Sequence, residues 1–398
     1  LVDLLGRSPV NLDTPELQRF IAGKRVLVTG AGGSIGSEIC RQSLKFCPQR
    51  LILLDRAENA LFEIDRELRH RWVGSEIEPV VADIGDRPRI ERVFDQCRPQ
   101  VVFHCAAHKH VPMMEINPGE AVKNNVFGTR TVADAAMESG VAAFVMVSTD
   151  KAVNPSSVMG AAKRCAELYV QSLGATAGST ASTNSGQAGS QRAAALPEAG
   201  RSARFVAVRF GNVLGSSGSV VPIFRKQIEA GGPLTVTHPE MRRFFMTIPE
   251  ASQLVMQAGA IGQGGEIFVL DMGQPIRILD LAVEMIRRSG LEPGKDIRIE
   301  FTGVRPGEKL NEELAGDNEA TVPTSHPKIR VWQLPSAGPG QIDYMLERLA
   351  GVVESSREEV LAALREVVPE YRATVAARLV PAAPEPVATP AAVAARAA

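Results

Sequence analysis

The sequence holds no run of 18 or more apolar residues, the length a membrane-crossing helix needs, and its opening residues are not expected to be a signal peptide. It carries almost no net charge. Its 44 Lys and Arg stand against 45 Asp and Glu, a balance of −1, so no basic field points to nucleic acid. Cysteines are few and odd in number. Cys40, Cys47, Cys97, Cys105 and Cys165 fall in segments that read as core, which fits buried thiols in a reducing compartment and not a disulfide framework. His104, Cys105, His108 and His110 are close in sequence, but their spacing straddles a strand end and a loop, so they are not read as a metal site. There is no internal repeat. From Gly174 to Gln191 there is no charged and no large apolar residue, and residues 174–203 are expected to form a disordered surface insert. The first residue is Leu1 and not Met, so a longer parent protein is expected.

What is present is organised around Arg25-Val-Leu-Val-Thr-Gly-Ala-Gly-Gly-Ser-Ile-Gly36. An apolar strand (Val26, Leu27, Val28) runs into Gly30, Gly33 and Gly36, and a helix opens at Ser34 with Ile35, Ile39 and Leu44 at helical spacing. Gly30 permits the sharp turn, Gly33 lets a pyrophosphate approach the backbone, and Gly36 lets the helix pack close to the strand. The helix start offers unpaired N–H groups and a positive dipole end to phosphates. Asp55 follows at the distance expected for a dinucleotide site. A carboxylate there accepts ribose hydroxyls and repels a 2′-phosphate, which favours NAD over NADP; Arg56 beside it is the alternative partner for that phosphate. Asp83 and Ile84 end the third strand, where they can reach an adenine edge, or where Asp83 merely forms a turn.

Residues 25–150 alternate short apolar strands (25–29, 51–55, 78–83, 100–106, 143–149) with amphipathic helices (34–46, 58–71, 87–97, 117–138, then 157–173). This alternation predicts a doubly wound parallel α/β sheet, covered on both faces, with ligands at the carboxyl ends of its strands. A lead-in is expected over 1–23, with a helix start at Asp13-Thr-Pro-Glu16. The dinucleotide-binding domain is expected over 24–210, joined by a returning strand at 266–271. A smaller substrate-binding lobe would comprise 211–243 and 276–377, with helices at 276–290 and 341–377, and an Ala/Pro-rich disordered tail would follow over 378–398.

The sharpest chemical cluster is Ser148-Thr-Asp-Lys151 at the end of the fifth strand, followed by Met159 and Lys163, which share one helix face. This pattern resembles the extended short-chain dehydrogenase/reductase superfamily. There, a Ser or Thr at that strand end works with a Tyr and with a Lys four residues later. The resemblance implies that Lys163 orients the nicotinamide ribose. Met159 stands in the Tyr position, and a thioether exchanges no proton. Either the site is silent or another group moves the proton; the adjacent acid and base, Asp150 and Lys151, favour the second.

Longer runs narrow the match: His104-Cys-Ala-Ala-His-Lys-His-Val-Pro-Met-Met-Glu115, Lys123-Asn-Asn-Val-Phe-Gly-Thr129, Ser148-Thr-Asp-Lys-Ala-Val-Asn-Pro155 and Arg305-Pro-Gly-Glu-Lys-Leu310. Over residues 1–335, the 174–203 insert aside, the chain resembles the CapD-like polysaccharide biosynthesis proteins, which are UDP-N-acetylglucosamine 4,6-dehydratases. The large, membrane-attached members of that family share the Met-for-Tyr change. They carry transmembrane helices ahead of the catalytic domain and keep the configuration at C5. The resemblance thus implies a cytoplasmic domain at the inner face of a bacterial membrane, working as a homodimer or larger assembly.

The implied reaction is an internal redox elimination. Hydride leaves C4 of the sugar for the cofactor, the resulting ketone acidifies C5, water leaves across C5–C6, and the hydride returns to C6. The product would be UDP-2-acetamido-2,6-dideoxy-xylo-hex-4-ulose. In this reading Asp150 protonates the C6 oxygen and Thr149 bonds the C4 oxygen. Lys151 is the C5 base, with its pKa lowered by burial beside the cofactor and Lys163; an ion pair with Asp150 is the alternative. The C4 hydroxyl proton goes to a water, Asp150 or Lys151. NAD would be held by Gly30, Gly33, Ser34, Ile35, Gly36, Asp55, Arg56, Asp83, Ile84, Ala106, Ala107, Asn124 and Lys163. The UDP-sugar would meet Lys109, Asn212, Thr235, Arg243, Arg305 and Glu308. Of these, Asn212, Arg243 and Arg305 would serve the diphosphate and Thr235 the uracil. Glu308 would hold the ribose or anchor Arg305. The rival functions are a UDP-sugar 4-epimerase, which needs no acid–base pair at C5–C6, and a silent NAD-binding regulator.

Overall fold

In the computed structural model, which describes residues 14–179, 203–314, 320–332 and 337–373, the strand before the glycines is buried from Val26 to Thr29. This strand, β1 (Arg25–Thr29), has parallel neighbours on both sides: β2 (Arg50–Asp55) and β4 (Val101–His104). β3 (Ile77–Val81) lies beyond β2; β5 (Ala143–Val147), β6 (Arg204–Arg209) and β11 (Ile267–Leu270) follow beyond β4. The order β3-β2-β1-β4-β5-β6-β11 is parallel throughout. It reverses direction between β1 and β4, which opens a crevice at the carboxyl ends of those strands. This is the expected Rossmann-like α/β fold with a smaller C-terminal lobe.

The helices α2 (Ser34–Lys45), α3 (Glu58–Arg71), α4 (Arg87–Cys97), α7 (Thr129–Glu138), α8 (Val158–Ser179) and α10 (Ile248–Ile261) cover the two faces with two apolar cores. The described part of the expected lead-in belongs to one of them. In α1 (Pro15–Ile21), capped by Thr14, Leu17, Phe20 and Ile21 are buried, and the Phe20 ring meets Phe103 edge-on.

Several expectations are corrected. The helix expected over 117–138 runs unbroken from Pro118 to Glu138, but not as regular α-helix: α6 (Pro118–Ala121) passes through a π-helical turn Val122–Gly128 into α7, with α5 (Val111–Ile116) before them. The wider turn accompanies Asn125, whose amide bonds both the N–H and the carbonyl of His108. α8 continues through 174–179, so the insert is helical there; a Cβ on Gly174 would lie 2.2 Å from Gly265 N, which explains the glycine. The rest of the insert to residue 202, the tail 378–398 and residues 1–13 lie outside the described residues. Cys47 is exposed and Cys105 half-buried, unlike the three buried thiols Cys40, Cys97 and Cys165.

The smaller lobe has its own core of Val221, Phe224, Leu234, Met285 and Ile286, among others. It contains α9 (Val220–Glu229) and α11 (Ile278–Arg288), β8 (Leu234–Val236) paired with β13 (Ile299–Phe301), and β9 (Arg242–Arg243) paired with β12 (Ile276–Arg277). β7 (Asn212–Val213) pairs with β10 (Phe245–Met246). The segments 321–332 and 339–367, expected in this lobe, join the larger unit instead. β14 (Thr321–Pro323) and β15 (Ile329–Trp332) add antiparallel strands to the β11 edge of the main sheet. α12 (Pro339–Ala350) and α13 (Arg357–Val367) pack on α8, because Ile342, Leu346, Leu349, Leu361 and Leu364 present apolar faces that the sheet-side core absorbs. Among the described residues no helix is long and apolar enough to cross a membrane.

Candidate active site

At the crevice a cleft of about 170 Å³ is lined by Gly30, Gly33, Asp55, Arg56, Ile84, Ala106, Ala107 and Asn124, with Leu54, Ala82, Cys105 and His108. Gly30 has φ +66°, and a Cβ there would lie 2.8 Å from Ala106 N. A Cβ on Gly36 would lie 2.1 Å from Gly30 O, so only glycine lets α2 start this close to β1. Gly33 caps α2 with no side-chain hydrogen bond, which leaves the first N–H groups without a side-chain partner. Ile35 packs half-buried on the core beneath.

Asp55 accepts N–H groups from Gly32 and Ala57, each at 2.9 Å, and is thereby fixed at the strand end. Arg56 turns to Asp83, with Nη1 3.3 Å from Oδ2, and its Nη2 lies 3.3 Å from His108 Nε2. Asp83 also accepts the Gly85 N–H at 2.8 Å, the turn-forming role. Ser34 Oγ accepts the Ser217 N–H at 3.1 Å, and Lys109 Nζ donates to Ser217 O at 2.7 Å. The loop after β7 is thus tied across the glycine-rich turn. Eight of the residues read as cofactor-binding, Gly30, Gly33, Asp55, Arg56, Ile84, Ala106, Ala107 and Asn124, thus line this one cleft, and a dinucleotide fits its chemistry: a bare helix start, a fixed carboxylate and space kept by glycine.

Asp150 and Lys151 lie where β5 ends. Asp150–Ala152 form a 3₁₀ turn capped by Thr149. Thr149 Oγ1 donates to Asp150 Oδ1 at 2.9 Å. Lys151 Nζ donates to the same Oδ1 at 2.9 Å and to Asn212 Oδ1 at 3.2 Å. Asp150 is fully buried, and its Oδ2 has no hydrogen-bond partner. Glu312 Oε1 lies 3.7 Å from Lys151 Nζ and 3.8 Å from Arg243 Nη2. The expected lowering of Lys151 is corrected: burial pulls its ammonium down, but Asp150 and Glu312 outweigh it and hold the group above an ordinary lysine. Burial pushes Glu312 itself up, against the pull of Lys151.

On α8, Lys163 Nζ donates to Val147 O at 2.7 Å, and burial lowers its pKa to about 8 against the opposing charge of Glu167. Met159, one turn earlier, is 2 % exposed and packs in the apolar core.

The substrate-side residues divide. Asn212 joins Lys151, whereas Arg243 is buried, donates to Arg242 O and Leu310 O, and nears the pair only through Glu312. Thr235 Oγ1 accepts from Gln227 at 2.7 Å. Arg305 is held by Glu308, as one of the two readings had it, while Glu308 Oε2 stays buried without a partner. Three features escaped the sequence reading. Glu312 stands just past the Arg305–Leu310 run with nothing to distinguish it from Glu313. Glu167 pairs with the fully buried Arg209 and accepts from Ser148 Oγ at 2.6 Å. His104 bridges Thr29 and Thr129 at 2.8 and 2.9 Å, and burial lowers its pKa to about 3.

Residues 26–334 match the polysaccharide biosynthesis protein family. The chain is 52 % identical over 361 residues to the capsular polysaccharide biosynthesis protein CapD of Staphylococcus aureus, an alignment covering 90 % of this chain and 56 % of that protein. It therefore spans little more than half of that relative. It is 31 % identical over 300 residues to a UDP-N-acetylglucosamine 4,6-dehydratase (inverting) of Campylobacter jejuni, covering 75 % and 79 %. It is 32 % identical over 301 residues to a UDP-glucose 4-epimerase of Rickettsia rickettsii, covering 74 % and 79 %. Among solved structures, Pen from Bacillus thuringiensis matches with TM-score 0.69 at 34 % identity, over 80 % of this chain and 92 % of that one. The dTDP-glucose 4,6-dehydratase DesIV of Streptomyces venezuelae, with NAD bound, shares the fold with TM-score 0.59 at 22 % identity, over 73 % and 88 %.

Proposed function

The chain belongs to the polysaccharide biosynthesis protein family, related to UDP-sugar dehydratases and epimerases, and from that premise we propose that it is an NAD-dependent UDP-N-acetylglucosamine 4,6-dehydratase that keeps the configuration at C5. The observation that carries this reading is the Thr149–Asp150–Lys151 arrangement around the buried Asp150 carboxylate, with one of its oxygens left without a partner. An epimerase has no use for an acid and a base aimed at C5–C6. A buried, unpaired acceptor is costly unless a ligand completes it.

NAD, held by the cleft of Gly30, Gly33, Asp55 and Asn124, would supply the hydride acceptor at C4 and return the hydride at C6. Arg56 is turned to Asp83, which supports NAD over NADP. The remaining work belongs to side chains. Thr149 Oγ takes the C4 hydroxyl proton as it passes its own to Asp150 Oδ1, so no Tyr is needed. Lys151, as the free amine, takes the C5 proton. Asp150 gives its proton to the C6 oxygen, the C6–O bond breaks, and water leaves. Lys151 then returns a proton to C5. The ion pair between Asp150 and Lys151 is the state these transfers regenerate at the elimination. Asn212 aims the amine, and Lys163 provides fixed positive charge near the nicotinamide ribose.

Incubation with UDP-N-acetylglucosamine tests the proposal. Mass spectrometry should show loss of one water, and NMR of the product should show the xylo configuration. UDP-N-acetylgalactosamine as product would establish an epimerase instead. Unchanged substrate with NAD bound would favour a silent regulator, the reading to which the buried Met159 lends weight.

A further inference from the structure

We propose that Glu312 is a positioning residue that sets the strength of Lys151 as the C5 base; this rests on the dehydratase reading above. The carboxylate stands where three segments meet. It lies 3.7 Å from Lys151 Nζ on the turn after β5 and 3.8 Å from Arg243 Nη2 on β9, close enough for strong charge interaction and too far for a hydrogen bond. Its side chain is 4 % exposed and that of Lys151 is 18 %, so water screens the interaction little. Its own segment is clamped. Leu310 O accepts from Arg242 N and Arg243 Nη1, Lys309 Nζ donates to Val153 O, and Asn154 Nδ2 donates to Glu313 Oε2. The charged groups around Glu312 are Lys151, Asp150, Arg243 and Lys309.

The consequence is chemical. When Lys151 takes the C5 proton, the electron pair of the C5–H bond passes into the sugar and the amine becomes an ammonium. A fixed anion stabilises that ammonium more than the amine, so its effect grows toward the transition state. The same anion keeps Lys151 protonated to higher pH. Glu312 therefore makes Lys151 a stronger base that is less often free.

Glu312→Gln removes the charge and keeps the shape. The limb of the kcat–pH profile that rises as Lys151 deprotonates should move about two units toward acid, and the plateau above it should fall about tenfold, as a weaker base requires. KM for UDP-N-acetylglucosamine should change less than about twofold, because the group acts through Lys151 and not on the sugar. Glu312→Asp should restore most of the limb. An NMR titration of ¹³C-lysine-labelled protein, with the Lys151 signal identified by Lys151→Arg, should show the same acid shift without turnover. The proposal is overturned if the limb and the Lys151 titration stay in place, if only KM rises, or if the Asp variant behaves like the Gln variant. Failure of the wild type to form the dehydrated product would instead sink the dehydratase reading, and the NMR titration would still decide whether Glu312 governs Lys151.

Discussion

Glu167→Gln puts a neutral amide where the fold buries an ion pair, and its effect follows from the partners left behind. Arg209 has no exposed surface, its Nε donates to Glu167 Oε1 at 2.7 Å, and its guanidinium lies 3.8 Å over the Trp332 ring. Its Nη1 already has no partner. Burial pushes the Glu167 carboxyl up, yet Arg209, Arg164 and Ser148 together hold it below the ordinary range, so it is the anion that neutralises Arg209. Removing one partner of such a pair costs about 3–5 kcal/mol. The glutamine carbonyl keeps one hydrogen bond worth about 1 kcal/mol, which leaves a net loss of about 2–4 kcal/mol. Arg348→Ala is the comparison: its partner Glu366 is at 2.8 Å, but the two side chains are 31 % and 42 % exposed, and the expected loss is under about 1 kcal/mol. Urea unfolding of the wild type and both variants decides the matter. A loss for Glu167→Gln no larger than that for Arg348→Ala would refute the view that burial of Arg209 sets the magnitude.

Three further outcomes are expected. His104, held at about 3 by burial beside Lys163, has a folded pKa below its unfolded value of 6.5, so the unfolded chain takes the proton first and stability is lost as pH falls from about 6.5 toward 3. His104→Gln should flatten the acid side of a stability–pH curve, and an unchanged curve would contradict this. Lys163, lowered to about 8 from 10.5, is charged at a burial cost below pH 8, and stability rises between those values because the unfolded chain binds more protons there. Lys163→Met should therefore be more stable than the wild type at pH 7 by about 1–3 kcal/mol, a gap that closes as pH approaches 10.5; thermal melts at both pH values test it. Gly30→Ala meets both the positive φ and the 2.8 Å approach of Ala106 N, and should lower the melting temperature and abolish NAD retention on gel filtration. Normal cofactor retention would show that the turn tolerates a Cβ.

The glycine-rich turn and the order of strands and helices were legible because they depend on local rules: alternating apolar periods, and glycines where backbones touch. Boundaries failed where distant contacts decide them. Gly265 meets Gly174 inside a stretch whose composition reads as disordered, and the Asn125 bonds to the His108 backbone accompany a π-helical turn that periodicity does not signal. The helices after residue 339 have clear amphipathic faces, but a face does not name the core that covers it. In the site, the Asp150–Lys151 ion pair was one of two readings that adjacency allowed, while the Thr149 bond to Asp150 was not foreseen. The charge state of Lys151 was not legible, because Glu312 reaches it from 161 positions away in sequence, across the lobe boundary. Likewise the spacing of Met159 and Lys163 fixed their shared helix face, but not the burial of the thioether.

In the proposed dehydratase, Lys151 exchanges the C5 proton during loss of water. Turnover of UDP-N-acetylglucosamine in deuterated water, followed by mass spectrometry and NMR, tests it most directly. The wild type should give a dehydrated product with one solvent deuterium at C5, and Lys151→Ala should lose both dehydration and exchange by about 10²–10⁴-fold. Wild-type product without deuterium at C5, or undiminished exchange in Lys151→Ala, would contradict this role of Lys151.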